Sequence, residues 1–413
     1  MKNLIKGTLL VVSLWWALPR GQAQSVSNSA YNVFGLGTLE QTGMVAYEGM
    51  GYASIGARPS DRVNLKNPAA LNSIRGRGFT QIFDVGITYS HLFQQSVNET
   101  AVGSFGGLHD LNYWFRTSPK LAWSVGIAKF SEATYDILDQ SGSEDESNVQ
   151  HMGKGGSSQV YLGSAYSLSP HIHLGIKTGF IFGSFRSEEM SSLTLPGSSL
   201  RVNTQRSFFT PFLEGGIQYD QQLGKNSRLT FGATYRLSSH TTLREDRLII
   251  GNTGADNDSL TAESSSSLQI PRKIGLGLGW QSRSWELNLD YELENWAVNE
   301  AQDRYTYQDR YTTSFGAQYV KDRQSDKLIN RTAFRFGGGI HSNYISVDQE
   351  HYLSQYYSLG LGIPARRGTA AINLSYQYYR SGTSEGNLIR ESTNTLSLSI
   401  SFKDIWFRKK AFY

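Results

Sequence analysis

Trp285-Glu-Leu-Asn-Leu-Asp-Tyr-Glu-Leu-Glu294 divides cleanly by alternate positions. Trp285, Leu287, Leu289, Tyr291 and Leu293 share one side of an extended chain, and Glu286, Asn288, Asp290, Glu292 and Glu294 share the other. That is the period of two a β-strand imposes, with one face greasy and one face polar. The preceding stretch repeats it, with Ile274, Leu276, Leu278 and Trp280 opposed to Lys273, Gly275, Gly277 and Gly279. Near the end of the chain Leu396, Leu398, Ile400 and Phe402 alternate with Thr395, Ser397, Ser399 and Ser401. Two further copies run through Leu229 to Leu237 and Ile372 to Tyr378.

Composition agrees. The 413 residues include 42 Gly, 23 Tyr, 20 Phe and 8 Trp but no Cys, with 39% hydrophobic and 18% charged residues, a profile of many strands rather than of a disordered chain. Without cysteine there is no disulfide framework, thiolate metal site, cysteine nucleophile or lipidated cysteine. Many alternating runs exceed a globular strand and reach the ~9–11 residues that cross a bilayer at a tilt. Strands in hydrocarbon must close on themselves, because an open edge leaves amides unpaired. The expected fold class is all-β: a transmembrane antiparallel β-barrel, apolar outside and polar within.

Fourteen strands are expected: 79–93, 104–118, 121–135, 157–169, 172–188, 203–222, 227–246, 266–282, 285–300, 310–322, 330–344, 356–366, 368–382 and 392–407. Connections after even-numbered strands are tight, apart from an unusually long one at Lys321 to Asn330. Those after odd-numbered strands are read as long polar loops, including 136–156, 189–202, 247–265 and 345–355. Short periplasmic turns and long outer loops are the rhythm of an outer-membrane barrel, and the even count places both chain ends on the periplasmic side.

Residues 1–23 read as a signal peptide: a basic opening with Lys2 and Lys6, an apolar run from Leu9 to Leu18, and small residues at Gly21 and Ala23, with cleavage after Ala23. The formal charge of +4 then falls, since 39 − 3 leaves 36 basic residues against 35 acidic, a net of +1. That gives a nucleic-acid partner no electrostatic support. Residues 24–78 stay outside the strand pattern. Their spaced glycines (Gly43, Gly49, Gly51, Gly56) and aromatics (Tyr31, Phe34, Tyr47, Tyr52) fit a segment lodged in the lumen of a barrel formed by 79–413.

The lead-in ending at Asn67-Pro68-Ala69 resembles the hatch of the FadL/OMPP1/TodX-type outer-membrane transporters. Ile270-Pro271 through Trp285, Asp290-Tyr291 and Trp296 is similar to a strand pair of that family, and Tyr357 to Lys410 resembles the terminal strands of its Bacteroidetes-type branch. The resemblance implies a fourteen-stranded barrel with an N-terminal plug, and passive uptake of small hydrophobic or amphipathic, fatty-acid-like molecules with lateral exit through a kinked strand. Only Asn67, Pro68 and Ala69 carry over position by position. Pro211, which cannot donate to a sheet ladder, is the candidate lateral-gate kink. The inferred lumen face is charged, with Arg228, Arg236, Glu286, Asp290 and Glu292, which departs from a greasy conduit. The alternative expectation is a non-transporting barrel acting as an accessory subunit of a larger outer-membrane complex.

Catalytic signals are poor, and no enzyme activity is expected. Gly382-Thr-Ser384-Glu-Gly386 matches a hydrolase pattern but falls in a hairpin loop with no helix after it. His171 and His173 share a strand face beside a turn, short of a metal site without further ligands, and read as a solvated turn. No metal or cofactor is expected. The partners expected are outer-membrane lipid and lipopolysaccharide, a small hydrophobic ligand and an outer-membrane protein, in the outer membrane of a Gram-negative cell.

Overall fold

The computed structural model describes residues 29–74, 79–96, 100–139, 149–192, 199–252, 257–300, 305–347, 352–365, 368–383 and 389–404. The expected signal peptide, the acidic stretch Glu144 to Glu146, Ser384 to Gly386 and the terminal Trp406 to Lys410 lie outside the described residues. Among the described residues no helix is long and apolar enough to cross a membrane, and strands build the structure.

Fourteen antiparallel strands close into a barrel. They are β1 (Gln81–Gln95), β2 (Thr100–Ser118), β3 (Leu121–Glu132, continued by Tyr135–Asp139), β4 (Val149–Ser167), β5 (Ile172–Ser192), β6 (Ser199–Gly224) and β7 (Ser227–Arg236, continued by Ser239–Asn252). Then follow β8 (Asn257–Ile270, continued by Lys273–Gln281), β9 (Trp285–Glu294), β10 (Arg310–Tyr319), β11 (Ala333–Ser342), β12 (Leu353–Pro364), β13 (Ala370–Ser381) and β14 (Arg390–Asp404). Each pairs with its neighbours, and β14 closes on β1 from Gln81↔Asp404 to Gln95↔Arg390. The expected alternation holds: along β9 the exposed Trp285, Leu287, Leu289 and Tyr291 interleave with the buried Glu286, Asn288, Asp290 and Glu292.

Two expectations change. The stretches 189–202 and 247–265, read as loops, are mostly paired strand: β5 and β6 stay in register to Ser192↔Ser199, and β7 and β8 to Asn252↔Asn257. Residues 258–267 are exposed on both faces, so they lack the amphipathic signature of a lipid-facing strand although the ladder continues. The start of the described interior segment also differs. Thr80 and Asp404 meet at the short-turn end, where the Thr80 amide donates to the Asp404 carbonyl (3.0 Å). Ser29, however, donates to the Glu391 carboxylate (2.8 Å) at the start of β14, on the long-loop side. Residues 29–74 run through the interior from one end of the barrel to the other, so the first described residue lies opposite the end where β1 begins.

β5 to β8 are the tallest strands, although β2 and β4, at 19 residues each, come close to the 21 of β5. β6 has 26 residues, whereas β9, β10 and β11 have 10 each. About 9–11 residues cross a bilayer, which leaves β6 about 15 more, or ~50 Å of strand at ~3.4 Å per residue. Asn257–Ile270 pairs with β7 on one side, and among the described residues its other edge has no strand partner, because β9 pairs only from Gln281↔Glu286 to Lys273↔Glu294.

Candidate functional site in the lumen

The inward charges foreseen in β7 and β9 meet the segment inside the barrel and, unforeseen, Glu214 and Asp220 of β6 join them. Asp290 accepts from the Ser54 amide (2.6 Å) and the Ile55 amide (2.9 Å), and lies 3.2 Å from Lys66 Nζ. Lys66 is also 2.5 Å from Glu292, which pairs with Lys273 at the same distance. Arg62 reaches Glu286 at 2.6 Å, and Arg58 reaches Asp220 at 2.9 Å. Arg236 pairs with Glu214 at 2.9 Å, and Arg228 donates to the Arg58 carbonyl at 2.8 Å. All five charged lumen residues expected from the sequence thus face inward. They bond to the segment directly or, for Arg236, lie beside the Lys177–Glu214 pair whose lysine donates to the Leu65 carbonyl (3.1 Å).

This neutralisation settles why a polar interior is tolerable. Buried charges are costly unless paired and hydrogen-bonded, and here the two strands of charge satisfy each other. Burial alone would lower the Lys66 ammonium, yet Glu292 and Asp290 outweigh it and hold the group above the ordinary lysine value. Arg62 is likewise held charged by Glu286 against the pull of burial. Arg58, Arg62 and Lys66 were not foreseen. Their only signal is a spacing of four residues, which carries meaning once Asp220 of β6 and the acidic stripe of β9 are placed opposite.

Asn67 joins the segment to the wall. Its Oδ1 accepts from the Ala69 amide (3.0 Å), capping the short 3-10 helix Pro68–Ser73, while Nδ2 donates to the carbonyls of Ile55 (3.0 Å) and Ile217 (3.2 Å). Pro68 opens that helix, where its missing N–H costs nothing. Two wall glycines make the approach possible. A Cβ on Gly216 would lie 2.2 Å from Asn67 Oδ1, and one on Gly279 would lie 2.3 Å from the Gly56 carbonyl. The alternating glycines of β8 are the seat of the segment's backbone.

Pro211 points outward opposite Phe180 in β5. On its other side the β6–β7 ladder is interrupted between Ser207↔Arg244 and Glu214↔Arg236, and Pro211 lies within that gap. The inner face there is filled by the apolar cluster that includes Phe208, Phe212, Leu268 and Ile270.

A second, unforeseen interruption lies between β2 and β3. Their ladder runs from Ser118↔Leu121 only to Asp110↔Ala128, so among the described residues 100–109 have no partner on that side. The edge of β3 takes Thr38 and Leu39 of the interior segment instead, opposite Glu132 and Ser131. Inside this break is a cavity of about 140 Å³ lined by Phe105, His109, Lys129, Leu92, Tyr52 and Glu48 among others. His109 is 2.6 Å from Asp110 Oδ1 and 3.8 Å from Glu48 Oε2. Burial pushes the Glu48 carboxyl up from the usual carboxylate range, with His109 opposing. The histidine pair is resolved differently from expectation: His173 is buried, 2.7 Å from Ser167 Oγ and 3.4 Å from Asp220, so only His171 belongs to the exposed turn. Among the described residues no cluster of metal-ligating side chains is present.

Known proteins can now be set beside this architecture. The Ralstonia pickettii toluene transporter TbuX superposes with a TM-score of 0.63 at 14% identity, over 89% of this chain and 99% of that one. The Pseudomonas putida toluene transporter TodX gives 0.62 at 15%, over 90% and 100%, and a Pseudomonas aeruginosa FadL homologue 0.62 at 13%, over 88% and 99%. These likenesses establish a common fold with outer-membrane channels, and the FadL-type resemblance holds at that level. No curated protein matches the sequence. The family model that does match is a different one, described as BamG, and it spans residues 4–413. The chain belongs to the BamG family.

Proposed function

We propose that this barrel is an accessory subunit of a larger protein assembly in the outer membrane of a Gram-negative bacterium. The observation that carries the proposal is the raised wall of β5 to β8, whose stretch Asp258–Ser267 is exposed on both faces and, among the described residues, has no strand partner on its outer edge. Unprotected edges pair readily with a strand from another chain. Glu263 is the only charge between Ser259 and Gln269, so little there repels one. Leu200, Leu248 and Leu260 add exposed apolar contacts near the rim. The ion-paired interior supports a sealed lumen, with residues 24–78 acting as a fixed plug on Asn67-Pro68-Ala69. A family distinct from the hydrocarbon channels supports a distinct role, and the terminal-strand likeness favours a Bacteroidetes-type envelope. Extraction from native membranes in mild detergent tests this. A stoichiometric partner should be retained, and lost when residues 247–262 are removed at the register pair Asp246↔Glu263 with the barrel intact. A chain extracted alone, or a partner indifferent to that deletion, refutes it.

A second function, passive uptake of a small hydrophobic or amphipathic molecule, is favoured by one feature: the cavity beside the β2–β3 break. Its volume is close to the ~150 Å³ that holds one benzene and below the ~300 Å³ where drug-sized sites begin, which suits a single-ring molecule better than a fatty acid. Lateral exit would then follow the β2–β3 break rather than Pro211. Cells carrying Phe105→Trp, which fills the cavity, should take up toluene more slowly than cells carrying the parent chain. Equal rates eliminate this function.

A further inference from the structure

The connection at Lys321 to Asn330 is the long one at the short-turn end of the barrel. It is a built loop. The Asp322 amide donates to the Asn330 carbonyl (2.9 Å), Asn330 Nδ2 donates to Ser325 Oγ (3.0 Å), and Thr332 donates twice to the Leu328 carbonyl (3.0 Å each). The short helix Leu328–Arg331 results, lying against the end of β12. It leaves Leu328 and Ile329 50% and 63% exposed, a turn of chain before the outward Phe334 at the start of β11. Exposed apolar residues continuous with a lipid-facing band belong at the bilayer interface.

The neighbouring turn completes the corner. Trp285 and Tyr319 face each other across β9 and β10 with ring centroids 4.8 Å apart, an aromatic pair of the kind that marks the headgroup level. The Val320 amide donates to the Ser284 carbonyl (2.8 Å), which brings the turn carrying Arg283 beside Lys321. Arg283, Lys321 and Lys327 are exposed. Arg323 is taken by Asp61 of the interior segment at 3.2 Å. Arg283, Lys321 and Lys327 thus leave this corner with three exposed cations against Asp322 and Asp326.

We propose that this corner binds an anionic phospholipid of the leaflet at the short-turn end. The phosphate lies between Arg283 and Lys321 above the Trp285–Tyr319 pair, and Leu328 and Ile329 enter the acyl region. Charge complementarity and continuity with the lipid-facing band select this occupant, and the inference depends on the membrane barrel but on neither proposed function. Native mass spectrometry of the full chain, with phosphatidylglycerol or phosphatidylcholine added to the detergent, tests it. Phosphatidylglycerol should be retained preferentially and should raise the unfolding temperature. A near-surface basic residue is worth roughly fivefold in anionic-lipid affinity, so Arg283→Glu with Lys321→Glu should weaken retention by roughly twentyfold or more. Leu328→Ser with Ile329→Ser should weaken both lipids alike. Since all four positions are at exposed ends, heat-modifiable migration should report a folded barrel in each variant. Equal retention of the two lipids, unchanged phosphatidylglycerol retention after charge reversal, or preferential retention of lipopolysaccharide would each overturn the proposal.

Discussion

Asp290→Ala should release the middle of the interior segment while leaving the barrel closed. The carboxylate holds two backbone amides, Ser54 and Ile55, and half of the Lys66 ion pair. Hydrogen bonds to a charged group are worth about 1.5–3 kcal/mol each. Breaking a buried pair costs about 3–5 kcal/mol when the remaining charge has no partner. Lys66 keeps Glu292 at 2.5 Å, so that second penalty is largely avoided and the loss is set by the two amides. About 3 kcal/mol in local opening follows, which at 1.4 kcal/mol per tenfold is roughly a hundredfold faster amide exchange across residues 52–66. Hydrogen exchange in detergent reads this segment separately from the ladders of β1 and β14. Asp290→Asn keeps one acceptor and should give an intermediate acceleration. Unchanged exchange at Ser54 and Ile55 in the alanine variant would refute the claim that this carboxylate anchors the segment. Acceleration spread equally over the β1–β14 ladder would show instead that the barrel wall itself depends on it.

Three further outcomes follow from the same geometry. Gly279→Val puts side-chain atoms where the Gly56 carbonyl lies, 2.3 Å from a Cβ. Overpacking of that kind costs about 1–3 kcal/mol, and thermal unfolding in detergent should show the loss. Asn67→Ala removes a helix cap worth about 1 kcal/mol together with the bonds to Ile55 and Ile217, so protease sensitivity near residues 55–70 should rise with the barrel still heat-modifiable. Glu48→Gln reports on burial. Because the folded carboxyl is raised above its unfolded value, its contribution is present below about pH 4.5 and lost as pH rises through the folded value. The variant should therefore match the parent at pH 4 and exceed its unfolding temperature at pH 8, and a parent equally stable at pH 8 would count against a buried, unwillingly charged Glu48.

The barrel was legible because its outward face obeys one physical rule, alternation, over each lipid-facing stretch, and all fourteen expected strands correspond to observed ones. Legibility ended where lipid did. From Asp258 to Ser267 the ladder continues with polar residues on both faces, so the period of two carries no hydrophobic signal and the segment looks like loop. Serines there are compatible with either state, and only pairing to β7 decides between them.

The interior shows the complementary limit. Glu286, Asp290 and Glu292 could be placed on an inward face from β9 alone, but their partners are Arg62 and Lys66, more than two hundred residues earlier. No local period relates them, because the pairing is fixed by where the segment's backbone can approach the wall, and that is fixed by glycines on a different strand, β8. The β2–β3 break follows the same logic. Gly103, Gly106 and Gly107 thin out β2 just where its ladder with β3 stops, and Thr38 and Leu39 take the edge of β3 that β2 leaves free. Charge alternation along one strand thus states that a counter-surface exists inside the barrel. Only the glycine pattern of the neighbouring wall states where that surface can touch.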